Sequence, residues 1–218
     1  MIRKPLNVPS LNAKVYETLW EMIINGDLAP GFRLQEYMLV NTLGTSKTPI
    51  KLALAKLEQD GLVKIIPRRG AYVITLSKDV AVEVYLLREV LEGLATRLAA
   101  QNLSNDDLRK LGSLFPKMEQ EIEGSRYKNF VGYDEEFHEI IMKASNHSRL
   151  QEFLKSLLGF IKMFKFRSST IAGRTMAANK EHIEIYKALE NRDAFKAEEA
   201  MRYHIRQVMK DVVEKFNF

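Results

Sequence analysis

The sequence predicts a mostly helical chain in two parts: an N-terminal winged helix-turn-helix with a small β-wing, and a C-terminal antiparallel bundle of about six helices. Three observations lead there. Gly26, Pro30, Gly31, Gly44, Pro49, Gly61, Pro67 and Gly70 punctuate short segments in the first third, as tight turns between small elements require. Beyond Thr75 only Pro116 remains, and apolar residues recur at helical spacing over long stretches. Charge divides the same way: residues 1–75 carry ten Lys/Arg against six Asp/Glu and residues 76–218 carry 23 against 22, so most of the net +5 lies in the first part. A boundary near Thr75–Ser77 separates domains 1–75 and 76–218.

In the first domain, Leu11–Asn25 places Val15, Leu19, Met22 and Ile23 on one helical face. The turn Gly26-Asp27-Leu28-Ala29-Pro30-Gly31 follows, and Gln35–Leu43 forms a second short helix ended by Gly44. Ser46 or Thr48 caps a third, running to about Asp60, with Ile50, Leu54 and Leu57 inward and Pro49 in the first turn, where its missing N–H costs nothing. Leu62–Ile66 and Ala71–Ile74 are β-prone runs around Pro67-Arg68-Arg69-Gly70, a basic hairpin.

This order has a mechanical meaning. The third helix can enter a DNA major groove, presenting Ser46, Lys47, Thr48 and Lys51 at its N-terminal end to base edges and phosphates. Arg68 and Arg69 at the hairpin tip, beside the side-chain-free Gly70, add a second contact, and Arg33 joins the same set. Paired half-sites need paired proteins, so a homodimer on double-stranded operator DNA is expected.

The second domain begins with Lys78–Asn102, whose stripe is read as Val80, Val84, Leu87, Leu91, Leu94 and Leu98, with Arg88 inside it. Arg88 there is either a pocket residue or the partner of Glu92 in an ion pair. Ser104-x-x-Asp107 opens a second helix to about Glu123. Further helices are predicted at Tyr127–Ala144, Ser148–Ser168, Gly173–Asn191 and Asp193–Phe216.

Composition restricts the chemistry. Absence of cysteine excludes a disulfide scaffold, a thiolate nucleophile and any sulfur-built zinc site, so a metal would rest on carboxylates and the four histidines. No apolar run of about 18 residues exists to span a membrane. The opening MIRKPLNVPS lacks the apolar stretch of a secretion signal, and a cytoplasmic location is expected.

Asp134 and His138 are i and i+4, sharing a face with Phe130, Phe137 and Ile141. His182 aligns with Ile185, Tyr186 and Leu189; His204 aligns with Ala197, Ala200, Met201 and Val208; His147 reads as surface. Each inward histidine taken alone reads as a core imidazole hydrogen-bonded to backbone or water. Three with an aspartate also suit a divalent cation, Zn or Ni foremost, with Mn or Fe compatible. A metal-dependent enzyme using this set is the alternative function, although Glu135, Glu136 and Glu139 are read on outer faces and no separate nucleophile is spaced for catalysis.

The stretch from Val15 to Val73, with "DLAPG", "LGTSKTPIKLALAKLEQDGLV" and "PRRGAYV", resembles the DNA-binding domain of GntR-type bacterial transcription regulators. The family usually has Arg where Lys47, Lys51 and Tyr37 stand. Arg forks onto guanine and Lys does not, so the resemblance implies greater reliance on phosphate contacts here. "YDEEFHEIIMKASNHSRL" and "NKEHIEIYKALENRDAFKAEEAMRYHIRQ" resemble the effector-binding FCD domain of the FadR subgroup, and the helix count is similar to its VanR-type variant. The resemblance implies a metal on Asp134, His138, His182 and His204, a small organic acid effector with Arg88 facing its pocket, and a regulator, commonly a repressor.

Overall fold

The computed structural model describes residues 10–215, apart from the side chains of Phe166 and Arg167; the opening MIRKPLNVP and the end of the last predicted helix at Phe216 lie outside the described residues. The chain divides after Thr75 into two compact units.

In the first unit α1 (Leu11–Ile24), α2 (Glu36–Leu43) and α3 (Lys47–Gln59) join a three-stranded antiparallel sheet of β1 (Arg33–Leu34), β2 (Val63–Ile66) and β3 (Gly70–Val73), ordered β1-β3-β2. Apolar spacing on α1 buries Val15, Leu19 and Ile23, and the helix packs on α3, which buries Ile50 and Leu57. Tyr16 ties the two helices, its hydroxyl donating to Asp60 at 2.5 Å and its ring lying 4.2 Å under the Lys56 ammonium. Gly44 ends α2 at φ 59°, a left-handed turn that glycine adopts without penalty. Gly70 at φ 107° has the same requirement in the hairpin. Sequence reasoning did not anticipate β1. Two residues are too short to alternate, and the strand exists because Leu34 pairs with Ala71 while Val73 donates to Phe32. Ser46 occupies the N-cap of α3 but makes no side-chain capping bond, so neither its hydroxyl nor the predicted alternative at Thr48, already inside α3, caps the helix.

Among the described residues the second unit holds six helices: α4 (Lys78–Asn102), α5 (Asn105–Glu123), α6 (Tyr127–Ala144), α7 (Ser148–Ser169), α8 (Arg174–Glu190) and α9 (Ala194–Lys215). Ser77 caps α4 by accepting from Val80 N, and Ser104 with Asp107 forms a reciprocal capping box on α5. His147 is exposed, as read, and its Nδ1 accepts from Leu150 N at the start of α7. α4 runs along α9 and also touches α6, α7 and α8. Leu111, Leu114, Phe137, Phe164, Ile185 and Ile205 are buried within the bundle, each contributing about 1.5–3 kcal/mol by leaving water.

The stripe expected on α4 holds in part. Val84 and Arg88 are buried and Val80, Leu91 and Leu98 half-buried, but Leu87 and Leu94 are exposed, together with Leu86 and Val90, while Ala81, Tyr85, Glu92, Thr96 and Ala99 also face inward. Glu92 and Thr96 turn into the core because they meet partners there, which apolar periodicity alone does not reveal.

Candidate functional sites

Asp134, His138, His182 and His204 converge from α6, α8 and α9, each offering one donor atom, with all four atoms within 4.8 Å of one another. Asp134 Oδ1 lies 3.5 Å from His182 Nε2 and 3.9 Å from His138 Nε2. Carboxylates stand behind two of the rings. Glu92 Oε2 is 2.6 Å from His138 Nδ1, off the line a hydrogen bond needs, and Glu181 Oε2 is 2.7 Å from His204 Nδ1. Phe137 stacks on His182 with ring centroids 4.5 Å apart and an interplanar angle of 29°.

Two physical features suit this group to a cation. Both nitrogens of His182, which is fully buried, have no hydrogen-bond partner, nor has His138 Nε2; orphaned imidazoles in a core are costly unless something takes their lone pairs. Burial, with the neighbouring imidazoles, also holds His182 and His204 well below the ordinary histidine range, keeping them in the neutral form that ligates metals. Burial alone would raise Asp134, but Lys165 and the histidines outweigh it and hold the carboxylate ionised.

Arg88, 1% exposed, realises the ion-pair alternative: its Nε donates to Glu92 at 2.6 Å, while its Nη1 has no partner. It also borders a small cavity of about 30 Å³ with Asp134, Lys165, Arg174 and His204. A second cavity of about 350 Å³ opens on the other side, between α4, α6, α7 and α9, and its walls are mostly apolar. Glu135 is half-buried on its rim rather than on an outer face and meets Lys162 at 2.8 Å; Glu136 and Glu139 are exposed, as read, although Glu139 also borders the cavity mouth.

Sequence reasoning missed Lys165, Arg174 and Glu181. Lys165 is buried on Asp134, and Arg174 is buried between Glu181 and Asp211. A signal existed for Lys165: Leu154, Ile161, Lys165 and Ser168 share one face of α7, and a lysine inside such a stripe needs a buried partner.

In the first unit Ser46, Lys47 and Thr48 are exposed at the N-terminal end of α3, and Arg68 and Arg69 are exposed at the hairpin tip. Arg33, Tyr37, Lys51 and Gly70 line one open groove, in which Lys51 Nζ stands 3.9 Å from Glu36. Arg33 lies across Gly70, where an added Cβ would come 3.6 Å from its Nε. The left-handed φ of Gly70 therefore explains that glycine more directly than close approach to DNA.

Residues 83–207 match the FCD domain, and residues 11–73 match the bacterial regulatory proteins of the gntR family. The HTH-type transcriptional repressor RspR of Escherichia coli (strain K12) is 24% identical over 202 residues, 93% of this chain and 89% of that protein. A probable D-xylose utilization operon transcriptional repressor of Paenarthrobacter nicotinovorans is 29% identical over 203 residues, 93% and 88% of the two chains. Among solved structures, E. coli McbR/YncC superposes with a TM-score of 0.82 at 24% identity, over 96% of this chain and all of that one, a likeness of fold. Both families are regulatory and the relatives are regulators, which overturns the metal-dependent enzyme alternative. Among the described residues no helix is long and apolar enough to cross a membrane. The chain belongs to the GntR family of bacterial transcriptional regulators, with a helix-turn-helix domain for DNA followed by an FCD domain.

Proposed function

We propose that this regulator is a homodimeric repressor whose FCD domain binds a divalent transition metal through Asp134, His138, His182 and His204, and with it a small carboxylate effector. The orphaned nitrogens of fully buried His182, facing an ionised Asp134, carry the metal reading. Zn and Ni suit a three-histidine, one-carboxylate set best, and Mn or Fe are compatible. Such a cation supplies open coordination positions for a carboxylate. The unpartnered Nη1 of Arg88 is the protein donor that supports an anionic effector at the same place. The repressor sign follows the printed names of two relatives.

For DNA, the exposed Ser46, Lys47 and Thr48 meet base edges and phosphates in the major groove, Arg68 and Arg69 reach the adjacent backbone, and Arg33, Tyr37 and Lys51 flank the approach around Gly70. For the dimer, support comes from α4: Leu86, Leu87, Val90 and Leu94 form an exposed apolar stripe bounded by exposed Glu83 and Arg97, seven residues to either side of Val90. An antiparallel two-fold pairing about Val90 brings Glu83 of each copy toward Arg97 of the other and covers the stripe. Effector binding then acts by favouring one arrangement of the paired FCD domains, and through them one spacing of the DNA-binding domains.

The test is elemental analysis of protein purified without nickel resin. Near-stoichiometric metal is expected in the wild type and none in His182→Ala. Metal-free protein that binds acids as well as the loaded protein overturns the reading.

A further inference from the structure

Lys165 lines both cavities beside the metal group, the small charged one and the large apolar one, and is the one described residue that borders both. Its ammonium is committed to Asp134 Oδ2. A metal that engages Asp134 weakens that commitment and leaves a buried ammonium, 8% exposed, in need of a counter-charge.

The charges around it are close to balanced. Arg88, Lys165, Arg174 and Lys215 face Glu92, Asp134, Glu181 and Asp211 through the ion pairs of this core, equal numbers of each sign. A divalent cation leaves that core with a positive excess, which an anionic ligand offsets.

The large cavity states what such an anion is attached to. Its walls include Ala95, Met142, Leu154, Leu158, Ile161 and Met201. Glu92, Thr96, Glu135, His138, Glu139, Lys155 and Lys162 also line it, but most are engaged: the Thr96 hydroxyl donates to Glu92 O at 2.7 Å, Glu92 is paired with Arg88, Glu135 with Lys162 and Glu139 with Lys143. Hydroxyl groups on a ligand would lose water there for few replacement bonds. The volume of about 350 Å³ suits an apolar body on the order of ten non-hydrogen atoms.

From this we infer that the effector is an organic acid with an apolar body, not a polyhydroxy acid or a tricarboxylate, and that Lys165 is its head-group residue, moving from Asp134 to the ligand when metal is bound. This rests on the metal-linked acid reading above and specifies its ligand. Lys165 thereby opposes metal binding and favours acid binding, two effects of opposite sign from one side chain.

Zinc titrated into chelator-stripped full-length protein, and hexanoate, gluconate and citrate titrated into the zinc-loaded protein, test this by calorimetry. Hexanoate is expected to bind about tenfold or more tighter than gluconate or citrate. Lys165→Met is expected to lose about tenfold or more in hexanoate affinity, the effect of removing one charge-assisted bond, while zinc binds as tightly as in wild type or tighter. Lys165→Arg retains hexanoate binding. Leu158→Glu, at the part-exposed cavity wall, weakens hexanoate and leaves zinc unchanged. Preference for gluconate or citrate, equal hexanoate affinity in Lys165→Met, or parallel loss of zinc and hexanoate in that variant overturns the inference alone. Failure of the wild type to bind zinc and all three acids overturns the metal-linked acid reading with it.

Discussion

Glu181 Oε2 stands 2.7 Å from Nδ1 of His204, on the side of the ring away from the nitrogen left for a ligand. The same carboxylate also takes the guanidinium of Arg174. A carboxylate in this position fixes both the tautomer and the orientation of a metal-ligating imidazole. Glu181→Gln keeps the shape but removes the charge, and it frees Arg174 from one of its two carboxylates. Metal affinity is expected to fall by about 10–100-fold with all four ligands intact. Competition against a chromophoric chelator measures this, and an unchanged affinity would assign Glu181 to the Arg174 pair alone.

The histidines also set a pH dependence for the metal-free protein. Burial first, and then neighbouring imidazoles, depress His182 and His204 well below 6.5 in the folded state. In the unfolded chain they titrate near 6.5, so below that pH the unfolded state binds more protons and stability falls as pH drops. Above about pH 7 their contribution is flat. The slope approaches about 1.4 kcal/mol per pH unit for each histidine, about 2.7 for the pair. Asp134 and Glu92 are held low, so the stability they contribute is lost only as pH falls through the ordinary carboxylate range, beneath this window. Urea unfolding of chelator-treated protein at pH 7.5, 6.5 and 5.5 is expected to show most of the loss in the last interval. Adding metal moves the loss to lower pH, because protons and cation compete for the same nitrogens.

Legibility in the sequence followed the physics of each signal. Caps and turns are local, so the start of α5 at Asn105 was readable from Ser104 with Asp107. The convergence of Asp134, His138, His182 and His204 was readable because Asp134 and His138 share one face by spacing, and because His182 and His204 sit among apolar neighbours on their own helices. The inward face of α4 was readable only in part: Val84, Arg88 and the Arg88–Glu92 pair were foreseen. Glu92 and Thr96 as inward residues were not, because their contacts, with His138 and within the helix, leave no apolar periodicity. The strand β1 depends on β3, nearly 40 residues along the chain, and leaves no periodicity of its own.

On the DNA-binding unit, Lys47 is exposed at the first turn of α3, where a side chain meets either a base edge or a phosphate. With Arg absent from this position, bidentate reading of guanine is lost, but a single ammonium can still donate to O6 or N7. Lys47→Ala is expected to reduce specific binding by about 1–3 kcal/mol with little effect on random duplex, measured by anisotropy at fixed salt. Equal losses on both duplexes, with a salt slope shallower by about one, make Lys47 a phosphate contact. Arg69→Ala at the hairpin tip is the control expected to give that second pattern.

Val90 is the centre of the exposed stripe on α4 and is 52% exposed, so replacing it disturbs little within one copy. Val90→Glu is therefore expected to leave chain stability within about 0.5 kcal/mol. In the paired arrangement, a residue on the two-fold axis meets its own counterpart, and two buried carboxylates then face one another across an apolar seam. Dissociation to monomer is the expected outcome in sedimentation at micromolar concentration, with weakened binding to a palindromic operator and unchanged binding to a single half-site. Glu83→Arg acts through the other half of the arrangement by setting like charges against Arg97 of the second copy, and it weakens the dimer in a salt-dependent way. A Val90→Glu protein that remains dimeric removes α4 from the interface. The exposed side chains Phe195 and Tyr203 on α9 would then be the next face to test.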